Sequence, residues 1–424
     1  GSKTGEVAYA LAGIMDTRDI NLNHKKRKVE VTDPLRTSEF KIDSILQNNS
    51  SLGSCEMKSS PNSSVWLFVS FTNGTSSIEL EPNLVGTLSH WKAVDDPIYR
   101  IAVMDFLSRS ISLGVLCGFG PPSSSQLMLR HNTIHITREG DLHIQRLESG
   151  VNAGKPGKGE EESTESSNLH LHEKILRVLN RELSDGNADL TRHIESAYDQ
   201  HALRRAVAAA GGVAFVADGS ILPRRHCEDH GRSGSLPGAT PFVSPSELKH
   251  TFVLPHAGVV TGMLIPQGVT IIAGGGFHGK STLLKGLSAG CFFKVPGDGR
   301  EFVISTSSTK HIRAEDGRFV SEVDISPFIS NLPPGANLDP HNFSTNNASG
   351  STSQASNVVE ALHSGTKLML LDEDTSAGNF LVRDSRMRSL IKAEPIVPFI
   401  YRVNGISREL GASTIVVVGG CGDW

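Results

Sequence analysis

Short apolar runs and helical stripes alternate along most of the chain, with two polar stretches between them. Val65–Phe71, Ser77–Leu80, Thr133–Thr137 and Asp141–Gln145 have strand length and strand patterning. Ile98, Ile101, Ala102, Asp105 and Phe106 fall near one helical face and predict a helix over Asp95–Ser112. Together these elements predict an α+β accessory domain. Leu171–Leu183 and Leu190–Ala210 read as helices, the second ended by Gly211-Gly212 before the apolar strand Val213–Val216. After Pro255 the texture changes. The buried-looking strands Thr270–Ala273, Leu368–Leu371 and Thr414–Val418 alternate with helical stretches, which predicts an α/β core whose mostly parallel sheet is covered by helices.

The polar stretches Asn48–Ser64 and Gly150–Ser167 have almost nothing to bury and read as linkers. The expected organisation is therefore an ill-defined segment over 1–64, the accessory domain over 65–168, a connecting region over 169–250 and the core over 251–424.

Composition narrows the function classes. Of 424 residues, 41 are Lys or Arg and 45 Asp or Glu, a net charge of −4, so any affinity for nucleic acid must come from a local patch. No stretch approaches the roughly 18 apolar residues of a bilayer-spanning helix, which excludes a membrane-embedded transporter within these residues and predicts no membrane partner. Cys55, Cys117, Cys227, Cys291 and Cys421 are scattered and form no C-x-x-C pair; a reducing compartment fits better than a disulfide framework or a zinc site. No targeting segment is legible at the amino end.

The strongest chemical signal follows the strand that ends at Ala273. Gly274-Gly275-Gly276-Phe277-His278-Gly279-Lys280-Ser281-Thr282 satisfies G-x-x-x-x-G-K-[ST] and opens a helix. Glycines let successive N–H groups turn towards phosphate oxygens, and the new helix presents its positive end to the same anion. Lys280 places an ammonium between the β- and γ-phosphates, and Ser281 offers a hydroxyl to Mg²⁺. ATP or ADP with Mg²⁺ is the expected ligand.

Leu368–Leu371 runs into Asp372-Glu373-Asp374, so a buried strand delivers carboxylates at its carboxyl end, where open α/β sheets bind ligands. Asp372 is expected to hold Mg²⁺, and Glu373 to orient and polarise the water that attacks the γ-phosphate. Upstream, Ala348-Ser349-Gly350-Ser351-Thr352-Ser353-Gln354 precedes an amphipathic stretch. Read alone, this is either a second anion site at a helix start or a polar loop with an N-cap. Its position just before the paired acids favours the first, and it resembles the signature segment of ATP-binding-cassette ATPases.

From about Val65 onward the chain resembles the predicted soluble ATPases of the ABC class, a group distinct from the transporters. The matching stretches are Phe215–Arg224, Gly275–Leu283, Pro296–Glu301, Ile312–Arg318, Ala348–Gln354 and Leu371–Ala377. Within that family it is most similar to trypanosomatid mitochondrial RNA-binding members associated with RNA editing. The resemblance implies a homodimer in which Ser349 and Gly350 face the γ-phosphate held by Lys280 of the partner subunit, with Gln354 closing the signature. It also implies a mitochondrial location, an RNA partner, contact with an RNA-editing complex, and a chain that continues past Trp424. Two departures stand out. No glutamine occurs between Ser281 and Ala348, where transporters carry a switch glutamine; Glu315 and Asp316 there either approach Mg²⁺ or form a structural salt-bridged loop. The switch histidine is also absent, with Gly419–Asp423 in its place and Asp423 the candidate substitute.

Candidate RNA contacts are Lys26 and Arg27 in the run His24–Lys28, the pair Arg204 and Arg205, and Arg224 and Arg225 in a loop that continues to Arg232. Few aromatic residues are available for stacking, so contact with single-stranded RNA would be dominated by backbone charge and show little sequence preference. Phe252 is either an adenine contact or core. The leading functional reading is an ATP hydrolase that remodels RNA. The others are a nucleotide-gated assembly factor with little turnover and a small-molecule kinase.

Overall fold

The structure is a computed structural model. It describes residues 95–111, 126–128, 134, 136, 178–183 without 180, 186–225, 234–330, 339–383 and 394–419, together with the backbone of 53–60, 63–72, 75–80, 112–115, 135 and 142–144. Lys26, Arg27, Arg232, Asp423 and the stretch 150–167 lie outside the described residues. Among the described residues no helix is long and apolar enough to cross a membrane. Two compact units are present, one within Gly13–Tyr198 and one within Asp199–Trp424.

The first unit holds an antiparallel sheet in the order Gly53–Ser60, Ser63–Thr72, Thr75–Leu80, Leu142–Ile144, Ile134–Ile136. The first of these strands falls inside the stretch expected to be a linker. Strand pairing needs backbone groups rather than apolar side chains, so a Ser-rich edge strand carries little compositional signal. Helix Pro97–Val115 buries Ile98, Ala102, Val103, Leu107 and Ile111. Asp105 is fully buried on the same helix, held by Arg109 at 2.7 Å and by the ring of His193 at 2.9 Å, which satisfies a carboxylate that would otherwise be costly to bury.

The second unit contains the core. Four parallel strands lie in the order Val269–Ala273, Ser413–Val418, Leu368–Asp372, Thr309–Ile312. Leu368–Asp372 and Ser413–Val418 are buried at every residue, which explains their unbroken apolar runs. The register pairs Ala273 with Val418, Asp372 with Val417, and Ile312 with Leu371, so all four carboxyl ends emerge at one edge of the sheet. The unit also holds an antiparallel sheet, ordered Val303–Ser305, Gly212–Ala217, Gly258–Pro266, Lys249–Leu254, whose third strand leads through Gln267-Gly268 into the phosphate-loop strand. Helix Lys280–Ser288 buries Leu284 and Leu287 against Leu368, Leu370, Ile415 and Val417 of the parallel sheet. Helix Gly350–His363 buries Ala355, Val358 and Val359 in a second cluster with Met369, Leu371 and Val416.

Candidate functional site

The strand order sets the geometry of the site. Neighbouring strands stand about 4.8 Å apart, so the interposed strand Ser413–Val418 separates the phosphate-loop strand from the acid strand by about 10 Å. That gap is the crevice beyond the carboxyl ends of a parallel sheet where ligands collect. Four chain segments border it: residues 274–282, Gly419, Asp372-Glu373, and the residues after Ile312.

The loop 274–279 is built for backbone approach. Gly279 caps the following helix with φ +84°, a conformation glycine adopts without strain, while Phe277 also has positive φ and points fully into solvent. A side chain at Gly275 would begin 3.2 Å from the His278 ring. Lys280 Nζ donates to the carbonyl of Gly275 at 2.7 Å, folding the ammonium back across its own loop. Ser281 and Thr282 lie in the first turn of the helix, partly accessible.

Asp372 ends its strand 6% exposed and accepts the N–H of Asp374 at 3.3 Å, which leaves lone pairs for a cation. Glu373, one residue on and partly exposed, accepts the backbone N–H of Gly419. Mg²⁺ fits this donor set, one hydroxyl and one carboxylate. Among the described residues no three His, Cys, Asp or Glu converge on a metal position, and Mg²⁺ needs no such cage when substrate phosphates and water complete its shell.

Ser349 is the N-cap of helix Gly350–His363; its hydroxyl lies 3.0 Å from that of Thr352, and both Ser349 and the helix start are accessible. Gly350 is constrained by its neighbours: an added Cβ would sit 3.1 Å from Asp316 Oδ1. Gln354 departs from expectation. It is fully buried, its Nε2 donates to Ser376 Oγ at 2.9 Å, and its Oε1 accepts the N–H of Ala377 at 2.8 Å, so it braces the helix internally and is not available to nucleotide.

The segment after Ile312 also turns towards this helix. Glu315 N donates to Ser353 Oγ at 2.9 Å, Asn357 Nδ2 to the carbonyl of Arg313 at 2.9 Å, and Arg318 bonds Asn357 and Glu360. Arg318 also pairs with the Glu315 carboxylate at 3.9 Å, a structural contact, while Asp316 Oδ1 lies beside Gly350. With Gly350 and residues 374–377, residues 313–316 frame a cavity of about 630 Å³ beside the signature.

The basic pairs divide. Arg204 donates to the carbonyls of Ser305 and Gly290 at 3.1 Å, which commits its guanidinium to loop carbonyls. Arg224 is 7% exposed and paired with Asp298 at 2.7 Å, with a second bond to the Asp298 carbonyl. Arg300 returns a bond to the carbonyl of Leu222, so the stretches Phe215–Arg224 and Pro296–Glu301 clasp each other. Both Arg204 and Arg224 are therefore corrected from RNA contacts to fold residues; Arg205 and Arg225 are exposed. Phe252 is core, packed edge-on to Phe215 at 5.2 Å.

Burial raises the Asp298 carboxyl to about 6 against the opposing pull of Arg224, and burial lowers Lys294, whose Nζ meets only the carbonyls of Phe292 and Val303 among its hydrogen-bond partners, to about 7. Sequence reasoning missed the part played by Ser376, for which the quoted run Leu371–Ala377 was the available signal; it set Gly419 at the switch-histidine position without foreseeing its contact with Glu373.

The ABC_ATPase P-loop domain family model matches residues 186–424. An uncharacterized protein of Methanocaldococcus jannaschii, MJ1628, is 37% identical over 190 residues, which cover 43% of this chain and 42% of that protein. The match thus spans less than half the length of that relative.

Proposed function

The chain belongs to the ABC_ATPase P-loop domain family, and from that premise we propose that it is a homodimeric ATP hydrolase that couples nucleotide turnover to RNA binding or remodelling. The observation that carries the reading is the strand order, which sets the phosphate loop and the paired acids on either side of one crevice. In this reading backbone N–H groups of 274–279 and Lys280 hold the β- and γ-phosphates. Ser281 and Asp372 hold Mg²⁺, which when bound neutralises charge developing on the phosphoryl oxygens. Glu373 takes a proton from the attacking water, and Ser349 and Gly350 cap the nucleotide of the partner subunit through an accessible helix start.

Support for RNA is the resemblance to RNA-editing members, together with the exposed side chains of Arg205 and Arg225. A mitochondrial location and an editing-complex partner follow from the same resemblance. Retention of single-stranded oligonucleotides on filters at two salt concentrations, with and without charge reversal at Arg205 and Arg225, tests this part. Binding that weakens steeply with salt and with charge reversal is expected. No retention at low salt removes RNA from the account.

One observation favours the alternative of a nucleotide-gated assembly factor with little turnover: the Glu373 carboxylate is engaged by Gly419 rather than standing free. Steady-state phosphate release separates the two, since the assembly factor predicts ATP-dependent dimers with almost no product.

A further inference from the structure

Among the arginines of the second unit that are not exposed, Arg204, Arg224, Arg300, Arg318 and Arg383 give their guanidinium groups to carbonyls or carboxylates. Arg313 does not. Its half-buried guanidinium has no hydrogen-bond or ion-pair partner among the described residues, and only its backbone carbonyl is engaged, by Asn357. It lines the cavity beside the signature and is the one cation among the described residues of that lining. Glu315, Asp316 and Asp374 of the same lining carry exposed carboxylates, and a Cβ at Gly350 would sit 3.1 Å from Asp316 Oδ1. Arg318 answers Glu315. That leaves Asp316 and Asp374 beside a helix start which, in the dimer reading, closes on a polyanion. The partial charge of a helix N-terminus, roughly half an elementary charge, does not offset two carboxylates. A cation is needed at this surface, and Arg313 is in place to supply it.

Position narrows its role. Ile312 pairs with Leu371, so Arg313 and Asp372 leave adjacent strands level with each other. The phosphate loop of the same subunit lies three strand spacings away, about 14 Å, with the acid strand between. Gly350, by contrast, shares the cavity with Arg313, so a guanidinium extended past Gly350 meets whatever Gly350 caps. We propose that Arg313 is a catalytic residue that acts across the dimer, laying its guanidinium on the γ-phosphate oxygens of the nucleotide held by Lys280 of the partner subunit. The assignment rests on the dimer reading above. In the step it serves, the water oxygen bonds the γ-phosphorus as the bond to the β,γ-bridging oxygen breaks. The water's proton passes to the general base of the subunit that holds the nucleotide, and ADP departs with the electron pair of the broken bond. Arg313 exchanges no atom. Its planar N–H donors neutralise charge on the phosphoryl oxygens, an effect of about 10³- to 10⁵-fold in kcat for an arginine so placed.

The test is phosphate release by Arg313→Ala, alone and mixed with Lys280→Ala. Alone, Arg313→Ala is expected to lose roughly 10³-fold or more in kcat, with its affinity for a fluorescent ATP analogue changed by less than about 3-fold. In an equimolar mixture about half the dimers pair one chain of each kind, and each such dimer holds one complete site: the phosphate loop and Glu373 of the Arg313→Ala chain with Arg313 of the Lys280→Ala chain. Turnover is expected to return to about a quarter of the wild-type rate. A parallel mixture of Lys280→Ala with Ser349→Glu calibrates the dimer, because Ser349 is also assigned to the opposite site. Recovery with Ser349→Glu but none with Arg313→Ala overturns the inference, as does Arg313→Ala turning over like the wild type. Recovery in neither mixture overturns instead the dimer reading. If Arg313→Ala does not fold, Arg313→Lys, which keeps the charge and loses the planar fork, decides by the same mixtures.

Discussion

The carboxylate of Glu373 accepts the backbone N–H of Gly419, joining the ends of two adjacent strands whose sequence positions lie 46 residues apart. A Cβ on Gly419 would stand 3.3 Å from Glu373 Oε2, so glycine leaves room for this carboxylate to bond and to turn. In a chain without the switch histidine, that N–H is the polar group of the interposed strand which meets the proposed general base.

Glu373→Gln is expected to lower turnover by roughly 10²- to 10⁴-fold while ATP still binds, because the amide cannot accept the water's proton. Gly419→Ala is expected to lower kcat about 10-fold with little change in KM, since it crowds the base and leaves the phosphate loop untouched. Phosphate release across a range of ATP concentrations checks both. Unaltered turnover in Glu373→Gln would refute the assigned role.

Lys280→Ala removes the ammonium that now rests on the Gly275 carbonyl and that nucleotide would draw onto its phosphates. Titration with a fluorescent ATP analogue should show affinity reduced by roughly 100-fold, or lost, with the thermal midpoint of the ligand-free protein nearly unchanged, because the contact it forfeits is an exposed one.

Arg224 and Arg225 are neighbours in sequence with opposite expected phenotypes. Arg224→Ala strands Asp298 in the interior and should cost about 3–5 kcal/mol of stability, the range for breaking a buried ion pair from one side. Arg225→Glu should leave the denaturation midpoint within experimental scatter and act on oligonucleotide retention alone. Chemical denaturation of the two variants side by side distinguishes them.

Lys294 predicts a pH dependence of stability. Its folded value is lowered to about 7 from 10.5 by burial, so between those values the unfolded chain binds more protons than the folded one. The penalty for burying this amine is greatest below pH 7 and fades as pH rises towards 10.5; the Lys294 contribution to stability thus improves with pH across that window. Denaturant titrations from pH 7 to 9.5 should show this rise in the wild type relative to Lys294→Met.

The apolar runs of the parallel sheet and the glycine loop were legible because each carries its own local signature: Leu368–Leu371 must be buried on both faces, and Lys280 must follow Gly279. What decides Arg224 is Asp298, 74 residues away, and nothing local distinguishes it from the exposed Arg225. Gln354 read as a nucleotide contact because the resemblance placed it at the close of the signature; its partners Ser376 and Ala377 come into reach only when the acid strand is laid beside the helix. Strand Gly53–Ser60 was invisible for the converse reason, since main-chain pairing leaves little mark on composition.

The strand that occupies the middle of the parallel sheet, Ser413–Val418, is synthesised after every other strand of that sheet. A nascent polypeptide halted before it would have produced its glycine loop and its acids but could not hold them at their proper spacing. Nucleotide capture during translation would therefore report that residue 418 has cleared the ribosome, and late folding, set by pairings such as Val269 with Thr414, would limit how soon it can occur.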